Sequence, residues 1–184
     1  AVFAGRLKAK YPDKPIEVET IAVGGSHSRQ WLWPDKYPGR EGCEWQRIVD
    51  AKPDLVTLEF VNDAGLSGAS LTQVYDEIQG RVQALGAELI LITPHFTKPE
   101  MMGFKTLRDP EKRPYVLSLR EYAQKYTLAL ADASARWEHL WKEGLPYVTL
   151  LRNGINHPDD RGHEVHNPIP ERSTVPIRTR TMRM

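Results

Sequence analysis

Residues 70–94 read SLTQVYDEIQGRVQALGAELILITP, and this stretch decides the fold. Leu71, Val74, Ile78, Val82 and Leu85 follow one another at spacings of 3, 4, 4 and 3, which line one face of an α-helix. Gly86 stands where a helix stops. Residues 89–93 (LILIT) then form a short, nearly continuous apolar run closed by Pro94, as in a parallel strand covered on both faces. Working outward, residues 54–61 (DLVTLEFV) are a second such run. Residues 16–23 (IEVETIAV), rich in β-branched side chains and ending at Gly24-Gly25, read as a strand too. Downstream, residues 114–126 place Val116, Leu119, Tyr122 and Ala123 on one helical side. Residues 127–133 (TLALADA) are a fourth strand or a helix end. Strand alternating with helix predicts right-handed crossovers and an α/β fold, a three-layer α/β/α sandwich.

The rest of the composition narrows the function classes. The chain has 184 residues, 40% hydrophobic and 27% charged, which is globular composition with enough length for a sizeable core. Lys plus Arg is 25 against 24 Asp plus Glu, and that balance predicts no nucleic-acid partner. Cys43 is the single cysteine, so a disulfide within the chain and a cysteine zinc cluster are both excluded. No apolar run approaches the roughly 18 residues of a membrane span. Residues 31–47 hold Trp31, Trp33 and Trp45 among prolines and glycines and read as a structured loop lining a groove. Residues 168–184 carry three prolines, four arginines and one glutamate and read as a poorly packed tail. Residues 1–167 are then one domain. The compartment and oligomeric state stay open.

In an open parallel sheet, ligands bind beyond the carboxyl ends of the strands. The segments in those places are Gly24-Gly25-Ser26-His27-Ser28, Asn62-Asp63 and Pro94-His95, joined late in the chain by NGINHPDDRGH at 153–163. A glycine lets a backbone N–H approach a reacting carbonyl oxygen, and an Asn amide can donate a second hydrogen bond; together they can form an oxyanion hole. A histidine beside a hydroxyl is a general base. The set points to acyl transfer, most simply ester hydrolysis.

These blocks resemble the SGNH hydrolases, the GDSL-type esterases and lipases. Gly25 in IAVGGSHS is similar to the family's lone Gly, Asn62 in EFVND to the Asn of its third block, with Phe60 in place of the usual Gly, and His157 to its late catalytic His. The resemblance spans about residues 1–166 and implies a flavodoxin-like parallel sheet and a Ser-His mechanism. It makes His157 the general base, the Gly25 N–H and Asn62 amide the oxyanion donors, and His163 a structural residue of the next turn. Aromatic faces near a polar site also hold sugars. Trp31, Trp33 and His95 are therefore expected to bind substrate, a small-molecule or carbohydrate ester whose small acyl (acetyl) group is removed. No cofactor is expected.

The sequence departs from the family in three places. The Gly-Asp-Ser nucleophile block is absent; the chain opens AVFAGRLKAK, read as the remainder of a helix, without an initiator Met. The first strand and the nucleophile are thus expected to be missing, leaving these residues unstable or inactive alone unless another segment fills the gap. The acid expected three residues before His157 is Gly154, with Asn153 one further back, so a Ser-His dyad or an acid from elsewhere is implied. The helix expected after Gly162-His163 is read as lost into the tail. Ser26 and Ser28 fall in the oxyanion loop and are not expected to be nucleophiles. Asp159 and Asp160 are expected to cap a helix. The spacing of His157, His163 and His166 does not suit a metal, so no metal site is expected. A second reading is a catalytically inactive carbohydrate-binding module that keeps the fold.

Overall fold

A computed structural model describes residues 2–38 and 41–166. The expected tail at 168–184 lies outside them. In chain order the elements are α1 (Val2–Lys10), α2 (Ser28–Leu32), α3 (Gln46–Ala51), β1 (Leu55–Leu58), α4 (Gly68–Ala84), β2 (Glu88–Ile92), α5 (Pro99–Met102), α6 (Pro114–Lys125), β3 (Ala129–Ala131), α7 (Ala133–Lys142) and α8 (Asp160–His166). The three strands form one parallel sheet in the order β1-β2-β3, with α4 and α6 as the crossovers. The α/β architecture and the βαβ units follow the sequence pattern.

Register explains which side chains are buried. Leu58, Leu91 and Leu130 stand in one row across the sheet, and Val56 pairs with Leu89 in the row beside it. This face packs on the apolar stripe of α4 (Leu71, Val74, Ile78, Val82) and on Val116, Leu119 and Ala123 of α6. Burying each such side chain contributes roughly 1.5–3 kcal/mol. Tyr75 and Tyr115 meet inside this layer, hydroxyl to hydroxyl at 2.6 Å. A second core gathers Phe96, Phe104, Trp137, Tyr147 and Leu151, from the segment after β2, from α7 and from the turn that follows it. Asp132 joins three elements at the β3 exit. It caps α7 by accepting from Ala135 N–H, accepts from Thr93 Oγ1 at 2.8 Å, and pairs with Arg120 of α6 at 2.8 Å.

Two expectations are corrected here. Residues 16–23 form no strand. A β-branched run becomes a strand only against a partner edge and a face to pack on. Among the described residues this run has neither; Val18 is 40% exposed, and the nearby backbone bonds are local, Ile16 N to Lys14 O and Ser26 N to Val23 O. Correspondingly, β1 pairs only with β2 among the described residues, and Leu55 at its start is 45% exposed. The helix read as lost after Gly162-His163 is present as α8. Asp159 supplies its cap, its Oδ1 accepting from Gly162 N–H at 2.8 Å. Gly162 is needed there, because a Cβ would lie 2.5 Å from the Leu150 carbonyl oxygen and 2.9 Å from Pro158 Cβ.

Since backbone cannot swing aside as a side chain can, Gly162→Ala should cost about 1–3 kcal/mol, the usual range for overpacking. Urea denaturation should show the midpoint falling with the slope unchanged.

Candidate active site

The exit of β1 builds the first half of the site. After Phe60, which packs on the main core, the chain turns through a 3-10 segment, Val61–Asp63. That turn aims two adjacent side chains at the loop 24–28. Asn62 Nδ2 donates to the Ser26 carbonyl at 3.0 Å, and Asp63 Oδ1 accepts from Ser28 N–H at 3.0 Å. Gly25 sits between its neighbours at φ +73°, a left-handed conformation that favours glycine. Asn62 is therefore bonded to the loop that contains Gly25.

Asp63 is the deepest member of this unit, 2% exposed, and among the described residues its Oδ2 has no hydrogen-bond partner. Burial pushes its carboxyl above the ordinary carboxylate range, while its contacts with Ser28 and the charges of His27 and Arg29 pull the other way. The same burial pushes the Tyr75 and Tyr115 hydroxyls up, and the Asp63 charge adds to it. For each of the three, burial disfavours the charged form.

The second half hangs from β2. Leu58 pairs with Leu91, and four residues beyond each stand Asn62 and His95, so both lie past the same end of the sheet. His95 is 7% exposed and packs against Trp137 with ring centroids 5.8 Å apart. Its Nε2 contacts the Asn156 carbonyl at 2.8 Å, and Lys98 N–H donates to the Ile155 carbonyl at 2.8 Å. These bonds tie the His157 loop to the β2 exit. Arg113 braces that exit, donating to the carbonyls of Pro94 and His95 and pairing with the buried Glu111 at 2.6 Å.

The loop itself is closed by a bridge between Leu151 and Pro158 and by Arg152 N–H donating to the His157 carbonyl at 2.7 Å. Asn153 holds its tip. Its Oδ1 accepts from the N–H groups of Ile155, Asn156 and His157 at 3.0, 2.9 and 3.1 Å. His157 is exposed at the end of this turn. The two nearby carboxylates have other partners. Asp159 caps α8 and pairs with Arg161 at 2.7 Å, and its Gly162 and Arg161 contacts hold its carboxyl below the usual range. Asp160 lies 3.9 Å from Arg152.

Trp31 is 4% exposed and donates its indole N–H to Ser26 Oγ at 3.0 Å, so it braces the glycine loop from within and offers substrate no face. His95 likewise serves as a tether under the His157 loop. Trp33 does line a groove, with Arg29, Lys36 and Tyr37. Ser26 and Ser28 are both buried. The sequence reading noted Asp63 beside Asn62 and Asn153 near the expected acid without giving either a role, and did not name Arg29 or Tyr37. Asn153 could have been found as an Asx turn ahead of Gly154; the others depend on contacts distant in sequence.

The family model for GDSL-like lipases/acylhydrolases matches residues 1–165. The chain belongs to this family. Solved structures agree in fold. A catalytic histidine-to-alanine variant of Axe2, an acetylxylan esterase from Geobacillus stearothermophilus, superposes with a TM-score of 0.68 at 19% identity, covering 90% of this chain and 75% of that one. A tryptophan variant of Axe2, described as an acetyl-xylooligosaccharide esterase, gives 0.67 at 20% identity, with 90% and 75% covered. At these identities the likeness shows an SGNH esterase fold. No curated protein matches this GDSL-family chain in sequence. Among the described residues no helix is long and apolar enough to cross a membrane.

The buried carboxyl gives a test with a definite sign. Because the folded state raises the Asp63 pKa, it holds that proton more tightly than the unfolded chain does. Stability from this group is therefore full at low pH and is lost as pH climbs from the ordinary value of 3.8 through the raised one. Asp63→Asn keeps an acceptor for Ser28 and cannot ionise. Relative to wild type, it should gain stability from pH 4 to 7, read as the difference between two denaturation curves at each pH; a constant difference would contradict the assignment.

Proposed function

We propose that this chain carries the oxyanion donors and the general base of a carboxylic ester hydrolase that removes small acyl groups, acetyl foremost, from carbohydrates. The observation that carries the reading is the Asn62–Ser26 hydrogen bond, which seats the Asn62 amide beside the Gly25 loop. Acyl transfer needs two such donors where charge develops on the carbonyl oxygen. His157 is the general base. It takes the proton of a serine hydroxyl as that oxygen attacks the ester carbonyl, then delivers it to the departing sugar hydroxyl. It next deprotonates the water that cleaves the acyl-enzyme, returning the serine and releasing the acid. The Gly25 N–H and the second Asn62 N–H stabilise the oxyanion of both tetrahedral intermediates. Asn153, in place of a triad acid, orients the turn on which a Ser-His dyad works.

The nucleophile in this reading comes from outside these 184 residues, on a strand that adds to the open side of β1. Three features support that. The exposed Leu55 stands at the start of β1, residues 16–23 pair with no strand among the described residues, and both serines of the 24–28 loop are buried. The carbohydrate assignment rests on the half-buried Trp33 in its groove and on the acetylxylan esterase names of the structural relatives.

The test is hydrolysis of acetylated xylo-oligosaccharides by the chain with and without an added strand ending in Gly-Asp-Ser. Turnover should require the strand. His157→Ala should then lower kcat by about 10²–10⁴-fold, and Asn62→Ala by about 10²–10³-fold. Full turnover in the His157→Ala variant, or preference for long-chain lipid esters, would sink the assignment. Sugar binding without turnover in the completed chain would favour an inactive binding module.

A further inference from the structure

We propose that the groove between residues 33–37 and α4 is a subsite for a carboxylate-bearing sugar unit of the substrate. The proposal rests on the esterase reading above and extends it to substrate charge. The groove holds about 400 Å³, within the roughly 300–1,000 Å³ usual for small-molecule sites. Arg29, Trp33, Lys36 and Tyr37 form one wall; Gln73 and Val74 of α4 form the other.

The charge pattern identifies the ligand. The Arg29 guanidinium lies 5.0 Å from the centroid of the Tyr37 ring and the Lys36 ammonium 5.6 Å from it. The His27 imidazole is a third nitrogen-bearing group beside this ring, in a T-shaped contact 6.1 Å centroid to centroid. Two cations stand against one aromatic ring, and among the described residues neither forms an ion pair with a carboxylate. Asp63 feels the Arg29 charge but is engaged with Ser28, and Asp35, next to Lys36, is exposed. Among the described residues the buried Arg29 Nε has no hydrogen-bond acceptor. Like charges gathered around one ring repel, and a buried donor without an acceptor is costly. An anion in the groove relieves both.

The walls add the sugar. Trp33 and Tyr37 stand 6.4 Å apart at 47°, an oblique pair whose faces suit the C–H side of a pyranose. The Gln73 amide, with no hydrogen bond among the described residues, can meet a hydroxyl. The subsite also adjoins the candidate oxyanion hole in the chain. Arg29 follows Gly25 by four residues, on the helix that Asp63 anchors. A charged branch would therefore bind beside the ester to be cleaved.

The experiment is titration of the folded protein with methyl glucuronide, methyl xyloside and sodium acetate at one ionic strength, followed by NMR. Glucuronide should bind at least tenfold tighter than either of the others. Lys36→Gln, a change at an exposed position, should weaken it about 3–10-fold and Arg29→Gln more, with the signals of Trp137, buried in the other core, confirming the fold. Lys125→Gln, on a different surface, should leave it unchanged. Equal affinity for xyloside, equal affinity for acetate, no glucuronide binding, or the same loss in Lys125→Gln would each overturn the proposal. Turnover of a neutral acetylated xylo-oligosaccharide by the nucleophile-bearing chain tests the esterase reading separately: turnover without a glucuronide preference sinks only the subsite, and glucuronide binding without turnover sinks only the esterase.

Discussion

Two adjacent side chains at the exit of β1 determine the shape of the site. Asn62 and Asp63 each reach some 35 residues back along the chain and grip its backbone, one at Ser26 and one at Ser28. Without those bonds the glycine loop would be held only by the Trp31 bond from a five-residue helix and by a preceding segment that pairs with no described strand. Short helices depend on tertiary anchoring. The anchor is set deep by the cost of burying Asp63, and Tyr75 and Tyr115 surround it with further neutral polar groups. A buried carboxyl oxygen that accepts from a backbone N–H is a rigid clamp, since little water reaches it to compete.

The histidine side uses a different device. His157 stands on a turn whose inward-facing amides all converge on one oxygen, that of Asn153. The turn is moored to the β2 exit through His95, and that exit is braced by the Arg113–Glu111 pair. Removing Arg113 would leave Glu111 buried and uncompensated, the expensive way to break an ion pair. The two halves of the site are thus carried by neighbouring strands in register, and parallel pairing of β1 with β2 sets their relative height.

Much of this was legible in the sequence, for identifiable reasons. The α4 stripe and the 89–93 run carried strong periodic signals that tertiary contacts only reinforced. The family was legible from the order of the short blocks around Gly25, Asn62 and His157. Residues 16–23 misled because β propensity measures fitness for a sheet, and no described strand stands beside that run. Trp31 misled because burial depends on where the helix of residues 28–32 points, which composition does not reveal. His95 lay where strand topology placed it, yet its neighbours Trp137 and Asn156 turned it from the substrate to the scaffold. The Asp63 clamp needed partners 35 residues away and had no local signature.

Amide hydrogen exchange at Ser28 tests the central claim most directly. If Asp63 holds the glycine loop, the Ser28 N–H is strongly protected in the wild-type protein. Asp63→Ala then removes that protection while the Leu91 amide, inside the sheet, keeps its own. A Ser28 amide that exchanges freely in the wild type, or one whose protection survives Asp63→Ala, would contradict the account.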